Sequence, residues 1–228
     1  MSFDSIKLIA FDLDGTLLDS VPDLAEAADK AVQSLGYPTV SLEQVKSYVG
    51  NGADLLIGRS LSQNMQVSPD IDAETLLEAR RIFDDYYQQG GHRLSHLYPH
   101  VQKVLAQLHE SGFKLALVTN KPSKFVPEVL AKHGLDAYFV DVIGGDTFTN
   151  KKPDPEALNW LLDKHRLESS EMLMVGDSKN DILAAQNAGC RSFALTYGYN
   201  HGEPIERSNP DYVADSLLDL LELASVAA

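Results

Sequence analysis

Residues 6–16 read Ile6-Lys7-Leu8-Ile9-Ala10-Phe11-Asp12-Leu13-Asp14-Gly15-Thr16. The run 6–11 is short, nearly continuous in apolar side chains and stops at a carboxylate. That is the pattern of a strand buried on both faces of a parallel sheet. The form recurs at residues 114–119 (KLALVT), 139–143, 172–175 and 192–195, so five strands are predicted. Helical patterns separate the last four. One covers 101–111, with Val101, Val104, Leu105 and Leu108 on one face before Gly112. Others cover 125–133 before Gly134, 155–165, and 181–188 before Gly189. Alternating strands and helices predict an α/β, Rossmann-like parallel sheet, and right-handed crossovers gather all the strand ends at one edge.

Between the first two strands the pattern changes. Residues 18–92 show no strand period and read as helices over 22–35, 41–49, 53–61 and 72–89. Ser41-Leu42-Glu43-Gln44 has the spacing of a capping box, in which hydroxyl and amide each satisfy a free backbone N–H. This stretch is too long for one crossover. The sequence therefore predicts an inserted helical cap domain, residues 18–92, on a core formed by 1–17 and 93–228.

The chain has 228 residues with Lys+Arg 19 and Asp+Glu 33, a net charge of −14. The acidity argues against nucleic acid as a partner, because binding phosphates by counterion release needs a basic footprint. Hydrophobic content of 44% with 23% charged residues fits a globular chain, not a disordered one. The single cysteine, Cys190, excludes an intramolecular disulfide and a Cys-based zinc site. No apolar run is long enough to span a membrane. Residues 1–8 include Asp4 and Lys7 and have no apolar signal core, so a cytoplasmic location is expected.

The chemistry is concentrated where strands end. With a period of two, Asp12 and Asp14 project to the same side and Leu13 to the other. Two carboxylates that close are costly without a cation or proton between them, and a hard divalent cation such as Mg²⁺ suits them. The second strand ends at Thr119-Asn120, whose hydroxyl and amide can donate to a phosphate. After the third comes Lys151-Lys152-Pro153, where proline restricts the backbone of Lys152. The fourth ends in Gly176-Asp177-Ser178-Lys179-Asn180-Asp181, two acids one helical turn apart. Polar groups at four neighbouring strand ends define a ligand site at that edge.

FDLDGT, VTN, KKP and GDSKND, in this order and spacing, resemble the motifs of the haloacid dehalogenase superfamily, and the likeness spans essentially the whole chain. The resemblance implies a phosphatase. Asp12 would be the nucleophile that becomes an aspartyl phosphate, and Asp14 the acid and base at the leaving oxygen. Mg²⁺ would be held by Asp12, the Asp14 carbonyl and Asp177, with Asp181 beside them. Thr119, Asn120 and Lys152 would bind the phosphoryl group, and Thr16 would orient Asp14. The insert would be the family's cap, which selects the leaving group of a small phosphate monoester. Residues 49–59, 21–24, 142–146 and 197–200 with Gly202 resemble the matching segments of bacterial phosphoglycolate phosphatases. A substrate with a carboxylate beside its phosphate calls for a cap cation, and Arg59 is the candidate.

A sugar-phosphate phosphatase, such as one acting on N-acetylmuramic acid 6-phosphate, is the nearest alternative, with a phosphomutase behind it. A phospho-accepting receiver domain shares the Asp, Thr and Lys but not the helical insert. The series His92, His96, His100 is interrupted by Pro99 and reads as a linker, not a metal stripe. Cys190 reads as a packed thiol and Trp160 as packing on the sheet. Both monomer and homodimer remain compatible with the sequence.

Overall fold

The computed structural model describes residues 5–225; residues 1–4 and 226–228, including the start read above for a leader, lie outside the described residues. Strand β1 (Leu8–Phe11) is the centre of a six-stranded sheet. On one side lie β4 (Lys114–Val118) and then β5 (Phe139–Ile143). On the other lie β6 (Met172–Gly176), β7 (Arg191–Leu195) and β8 (Tyr212–Ala214). All these pairs are parallel, with Phe11 level with Leu117 and Val175. The five predicted strands are present. The sixth, β8, extends the edge beyond β7 through three residues, too few to carry a readable period.

Every residue of β1 is buried, and its alternate side chains serve two different cores. Ile9 and Phe11 join Leu115, Leu117, Leu173 and Val175 beneath α5 (Val101–Glu110), α6 (Val126–Lys132) and α9 (Asp219–Ser225). Leu8 and Ala10 join Ala116, Val118, Met172 and Met174 beneath α7 (Glu156–His165) and α8 (Lys179–Ala188). Helices on both faces explain why the strands lack a polar alternation. Because the chain runs outward to β4 and β5, then returns to β6 on the opposite side, the crevice beyond Phe11 is a topological switch point.

The insert holds α1 (Val21–Ser34), α2 (Leu42–Tyr48), α3 (Ala53–Ser62) and α4 (Ala73–Gln89). Small residues Ala27, Ala28 and Ala31 of α1 pack in one apolar cluster with Ala79, Phe83 and Tyr87 of α4. The same cluster takes in Phe125 and Tyr199 from outside the insert, so its apolar face continues onto the core. The capping box at α2 forms as read: the Ser41 amide donates to Gln44 Oε1 at 2.9 Å and the Gln44 amide to Ser41 Oγ at 3.3 Å.

Both chain crossings meet in a two-stranded antiparallel ribbon, β2 (Leu18–Asp19) with β3 (His96–Leu97), which the sequence reading missed. Beside it, Asp23 accepts hydrogen bonds from the Leu94 and Ser95 amides and ties α1 to the returning strand. Among the described residues no helix is long and apolar enough to cross a membrane.

Candidate active site

Asp12 follows β1 directly and lies in the crevice, where its amide donates to Val175 O at 3.0 Å. Asp177 follows β6, and Asp181 stands in the first turn of α8. One oxygen from each of these three buried carboxylates falls within 4.8 Å of the others, the one such cluster among the described residues. Lys152, also buried, reaches into it from the loop after β5. Its Nζ lies 3.0 Å from Asp12 Oδ1 and 2.7 Å from Asp181 Oδ1, and donates to Val118 O at 2.5 Å. The bond between Lys152 and Pro153 is cis.

Burial, reinforced by Asp181 and Asp14, pushes Asp12 up to about 6 despite the opposing Lys152 charge. Burial, then Asp181 and Asp12, raise Asp177 well above the ordinary carboxylate range. Asp12 Oδ1 and Asp181 Oδ1 are buried and receive no well-aligned hydrogen bond, although Lys152 stands at ion-pair distance from both. Three mutually repelling oxygens with unused lone pairs suit a hard divalent cation, and the donor set fits one.

The rest of the cluster is held by hydrogen bonds and by lack of space. Asp181 Oδ2 accepts from the amide and hydroxyl of Ser178, a capping box that fixes this carboxylate at the helix start. Asp177 accepts from Thr16 Oγ1 at 2.6 Å and from the Tyr199 amide at 2.5 Å. A Cβ on Gly15 or on Gly198 would fall 2.2 Å from Asp177 Oδ2, so both glycines make room for that carboxylate. Gly15 also has a φ of +94°, which a side chain would strain.

Asp14 turns to a different partner. Its two oxygens lie 3.0 and 3.1 Å from Nζ of Lys121, which also donates to the Tyr87 hydroxyl of α4 at 2.7 Å. Burial works against the Lys121 charge, but Asp14 and Tyr87 outweigh it and raise its pKa. Tyr87 is itself buried, stacked on Phe83 at 5.6 Å and met edge-on by Phe125 at 5.0 Å. Asp12, Asp14, Thr119, Asn120 and Lys121 form the floor of a cavity of about 490 Å³, its open mouth included. Leu24, Val49, Leu56, Phe83 and Tyr87 form an apolar roof from the insert.

Several residues thus hold different places from those read. Thr16 is fully buried and binds Asp177 instead of orienting Asp14, because the turn at Gly15 carries its hydroxyl across to the end of β6. Asn120 has no amide hydrogen left for a phosphate: Nδ2 donates to Gly50 O at 2.9 Å and Lys152 O at 3.0 Å. Arg59 is not at the cavity wall. Nη1 donates to Tyr48 O and Asn51 Oδ1, and Nε to Met65 O, so three of the five guanidinium donors serve backbone and loop groups of the cap. Thr119 lines the floor, with its hydroxyl accepting from the Lys121 amide at 3.2 Å.

The residues missed by sequence are Tyr87, Tyr199 and Asn180, while Lys121, readable only as a positive charge that with Lys152 and Arg59 suits an anion, proves to pair with Asp14; Asn180 Nδ2 also donates to Gly50 O, at 3.1 Å. Asn180 lay within the quoted GDSKND, but its partner is a cap carbonyl with no sequence signature. The histidine series does not converge: His92 is buried against the Tyr87 ring at 4.6 Å, while His96 lies 3.7 Å from Asp19. Cys190 is buried, and burial pushes its thiol up to about 12, as suits a packed group. Trp160 does not pack on the sheet; it is 38% exposed, against Phe148 and beneath Lys164.

The chain is similar to known proteins. The family model described as haloacid dehalogenase-like hydrolase matches residues 9–195. A phosphoglycolate phosphatase of Vibrio parahaemolyticus serotype O3:K6 (strain RIMD 2210633) is 68% identical over 228 residues, all of both chains. One of Yersinia pestis is 45% identical over 97% of this chain and 94% of its own. The crystal structure of a predicted phosphoglycolate phosphatase from Haemophilus somnus 129PT superposes with a TM-score of 0.91 at 39% identity, covering 96% of this chain and 98% of that one. The chain belongs to the haloacid dehalogenase-like hydrolase family.

Proposed function

We propose that the chain is a Mg²⁺-dependent phosphatase that hydrolyses 2-phosphoglycolate to glycolate and phosphate. The observation that carries this reading is the floor of the cavity, where two carboxylates, each paired with a buried lysine, stand side by side under an apolar roof. The full-length relatives named phosphoglycolate phosphatase support the choice of substrate.

In this reading Asp12 attacks phosphorus, and its carboxylate becomes an aspartyl phosphate as the ester oxygen departs. That splits one difficult displacement into two. Asp14, on the cap side of Asp12, gives the departing oxygen its proton, then takes one from the water that cleaves the aspartyl phosphate. Lys152 fixes the Asp12 carboxylate and offers positive charge to the transferring group, and Thr119 offers a hydroxyl on the same floor. Asp12, Asp177 and Asp181, with the Asp14 carbonyl, would hold Mg²⁺, which neutralises charge between carboxylate and phosphate dianion. Thr16, Tyr199 and Ser178 keep the acidic ligands in place. The roof excludes bulk water. Cytoplasmic residence, as monomer or homodimer, is part of the same proposal.

The test is phosphate release from a panel of small esters: 2-phosphoglycolate, hexose phosphates, N-acetylmuramic acid 6-phosphate and glycerol phosphates, with Asp12→Asn as control. The expected result is the highest kcat/KM on 2-phosphoglycolate, dependent on Mg²⁺ and lost in the control. A tenfold preference for another ester rejects the substrate, and an active control rejects the mechanism.

A further inference from the structure

The leaving group proposed above carries a carboxylate, and the cation expected to meet it, Arg59, does not line the cavity and turns three of its donors to the cap. Among the described residues lining the cavity, Lys121 is the only cationic side chain. We propose that Lys121 is the receptor for the leaving-group carboxylate and thereby sets specificity for a short anionic arm; this rests on the phosphoglycolate reading.

The geometry argues for it in three steps. First, Lys121 Nζ lies 3.0 and 3.1 Å from the two Asp14 oxygens and 2.7 Å from the Tyr87 hydroxyl, so its three hydrogens all have acceptors and an arriving carboxylate takes the place of one Asp14 oxygen. In the proposed reaction Asp14 meets the ester oxygen. A cation beside Asp14 therefore meets whatever is bonded one carbon beyond that oxygen, which in 2-phosphoglycolate is the carboxylate.

Second, the surroundings make a hydroxylated leaving group costly. Phe83, Leu56, Leu24 and Phe125 offer no hydrogen-bond partner, so sugar hydroxyls entering there would lose water without replacement. An ion pair in the same low-polarity space is strengthened.

Third, Lys121 is anchored for the purpose. Its side chain is 3% exposed, its Nζ rests 4.8 Å from the centre of the Tyr87 ring, and the Tyr87 hydroxyl accepts from it at 2.7 Å. Tyr87 belongs to the cap and Lys121 to the core, so the receptor is complete only where the two are docked.

The decisive measurement compares kcat/KM for 2-phosphoglycolate with that for 2-hydroxyethyl phosphate, which replaces the carboxylate by a neutral hydroxymethyl group. Lys121→Gln keeps a donor for Asp14 but lacks the charge. The expected result is that this variant slows on both esters yet loses at least about 30-fold of the anionic-over-neutral preference, the scale of a buried charge-assisted hydrogen bond. Equal losses on both esters overturn the proposal and leave Lys121 as the holder of Asp14.

A second measurement needs no variant. In the wild-type protein the one-methylene-longer phosphate ester of 3-hydroxypropionate should fall about tenfold or more in kcat/KM, and parity with 2-phosphoglycolate overturns the short-arm claim. The outcomes also separate this inference from the function it rests on. If another carboxylate-bearing ester is preferred and Lys121→Gln erases that preference, the named substrate fails and the receptor stands. If 2-phosphoglycolate is preferred and the ratio survives in Lys121→Gln, the receptor fails and the substrate stands. A wild-type preference for the neutral ester overturns both.

Discussion

Two lysine–aspartate pairs share one cavity floor and are built in different ways. Asp12 with Lys152 lies wholly in the core, among carboxylates that repel one another, with a backbone carbonyl as the third contact of the lysine. Asp14 with Lys121 lies toward the cap, and its third partner is a tyrosine hydroxyl from α4. The first pair sits where a metal and a phosphoryl group would be held in common by every substrate. The second sits where substrates differ. In the proposed reaction the first pair supplies the nucleophile, and the second joins proton transfer to the choice of leaving group.

The largest expected effects divide along that line. Asp12→Asn removes the attacking carboxylate and should lower kcat/KM by about 10⁴-fold or more on every ester alike. Asp14→Asn removes proton transfer together with the counter-charge of Lys121, and should cost about 10²–10⁴-fold on 2-phosphoglycolate. With p-nitrophenyl phosphate, whose leaving group needs little help from a proton, the Asp14→Asn loss should shrink to about tenfold or less. Equal losses on the two esters in that variant would erase the difference between the pairs.

A smaller effect, confined to the metal side, should come from Gly198→Ala. The added methyl would fall 2.2 Å from Asp177 Oδ2 and 2.3 Å from its Cβ, so Asp177 must shift. The Mg²⁺ concentration for half-maximal activity should rise about 10–100-fold, as when other supports of metal ligands are removed. The preference for 2-phosphoglycolate over 2-hydroxyethyl phosphate should not change. A changed preference would mean that the two sides are mechanically joined.

Much of this division was legible in the sequence, and unevenly so. The strands ending at Asp12, Thr119 and Asp177 announced themselves by apolar runs that stop at polar residues, and local spacing carried Asp177 with Asp181. The choice side was not legible. Lys121 and Asp14 are 107 positions apart and Lys121 and Tyr87 are 34 apart, so no local period links them. Tyr87 falls inside the helical pattern 72–89 with nothing in its spacing to mark it. Thr16 was assigned to the nearest acid in sequence, while the turn at Gly15 sends it to Asp177 across the sheet. Arg59 stands out for its charge, but three of its donors go to acceptors within the cap. Chemistry that one motif carries can be read in advance, whereas a pocket closed by two folding units depends on pairings that only the fold creates.

The acidic side also predicts how pH acts on the metal-free protein. Asp12 keeps its proton up to about 6 when folded but only to 3.8 by its reference value, so the folded chain takes up protons between these limits. The associated stability is complete below the lower value and is lost as pH rises through the upper one. Asp177, also raised, acts in the same direction. Mg²⁺ must displace the Asp12 proton at pH 5.5 but meets an ionised Asp12 carboxylate at pH 7.5. At fixed Mg²⁺ the rise in Tm should therefore be several degrees greater at pH 7.5 than at pH 5.5. Scanning fluorimetry decides it, and a greater rise at pH 5.5 would mean that the cation binds elsewhere.

The smallest expected effect belongs to Arg59 and tests whether the choice of substrate is made by the cap at large or by Lys121. Arg59 holds the carbonyls of Tyr48 and Met65 and the Asn51 side chain, which brackets the loop whose Gly50 carbonyl receives Asn120 and Asn180 from the core. Arg59→Ala removes these bonds without removing a charge from the cavity wall. It should lower stability by about 1–3 kcal/mol, since the freed acceptors lie in a partly buried loop. It should raise KM a few-fold by loosening the docked loop, and by the same factor for 2-phosphoglycolate and 2-hydroxyethyl phosphate. A rise confined to 2-phosphoglycolate would return the carboxylate to Arg59 and require the cap loop to rearrange around substrate. Equal rises leave Lys121 as the residue through which the cavity distinguishes one leaving group from another.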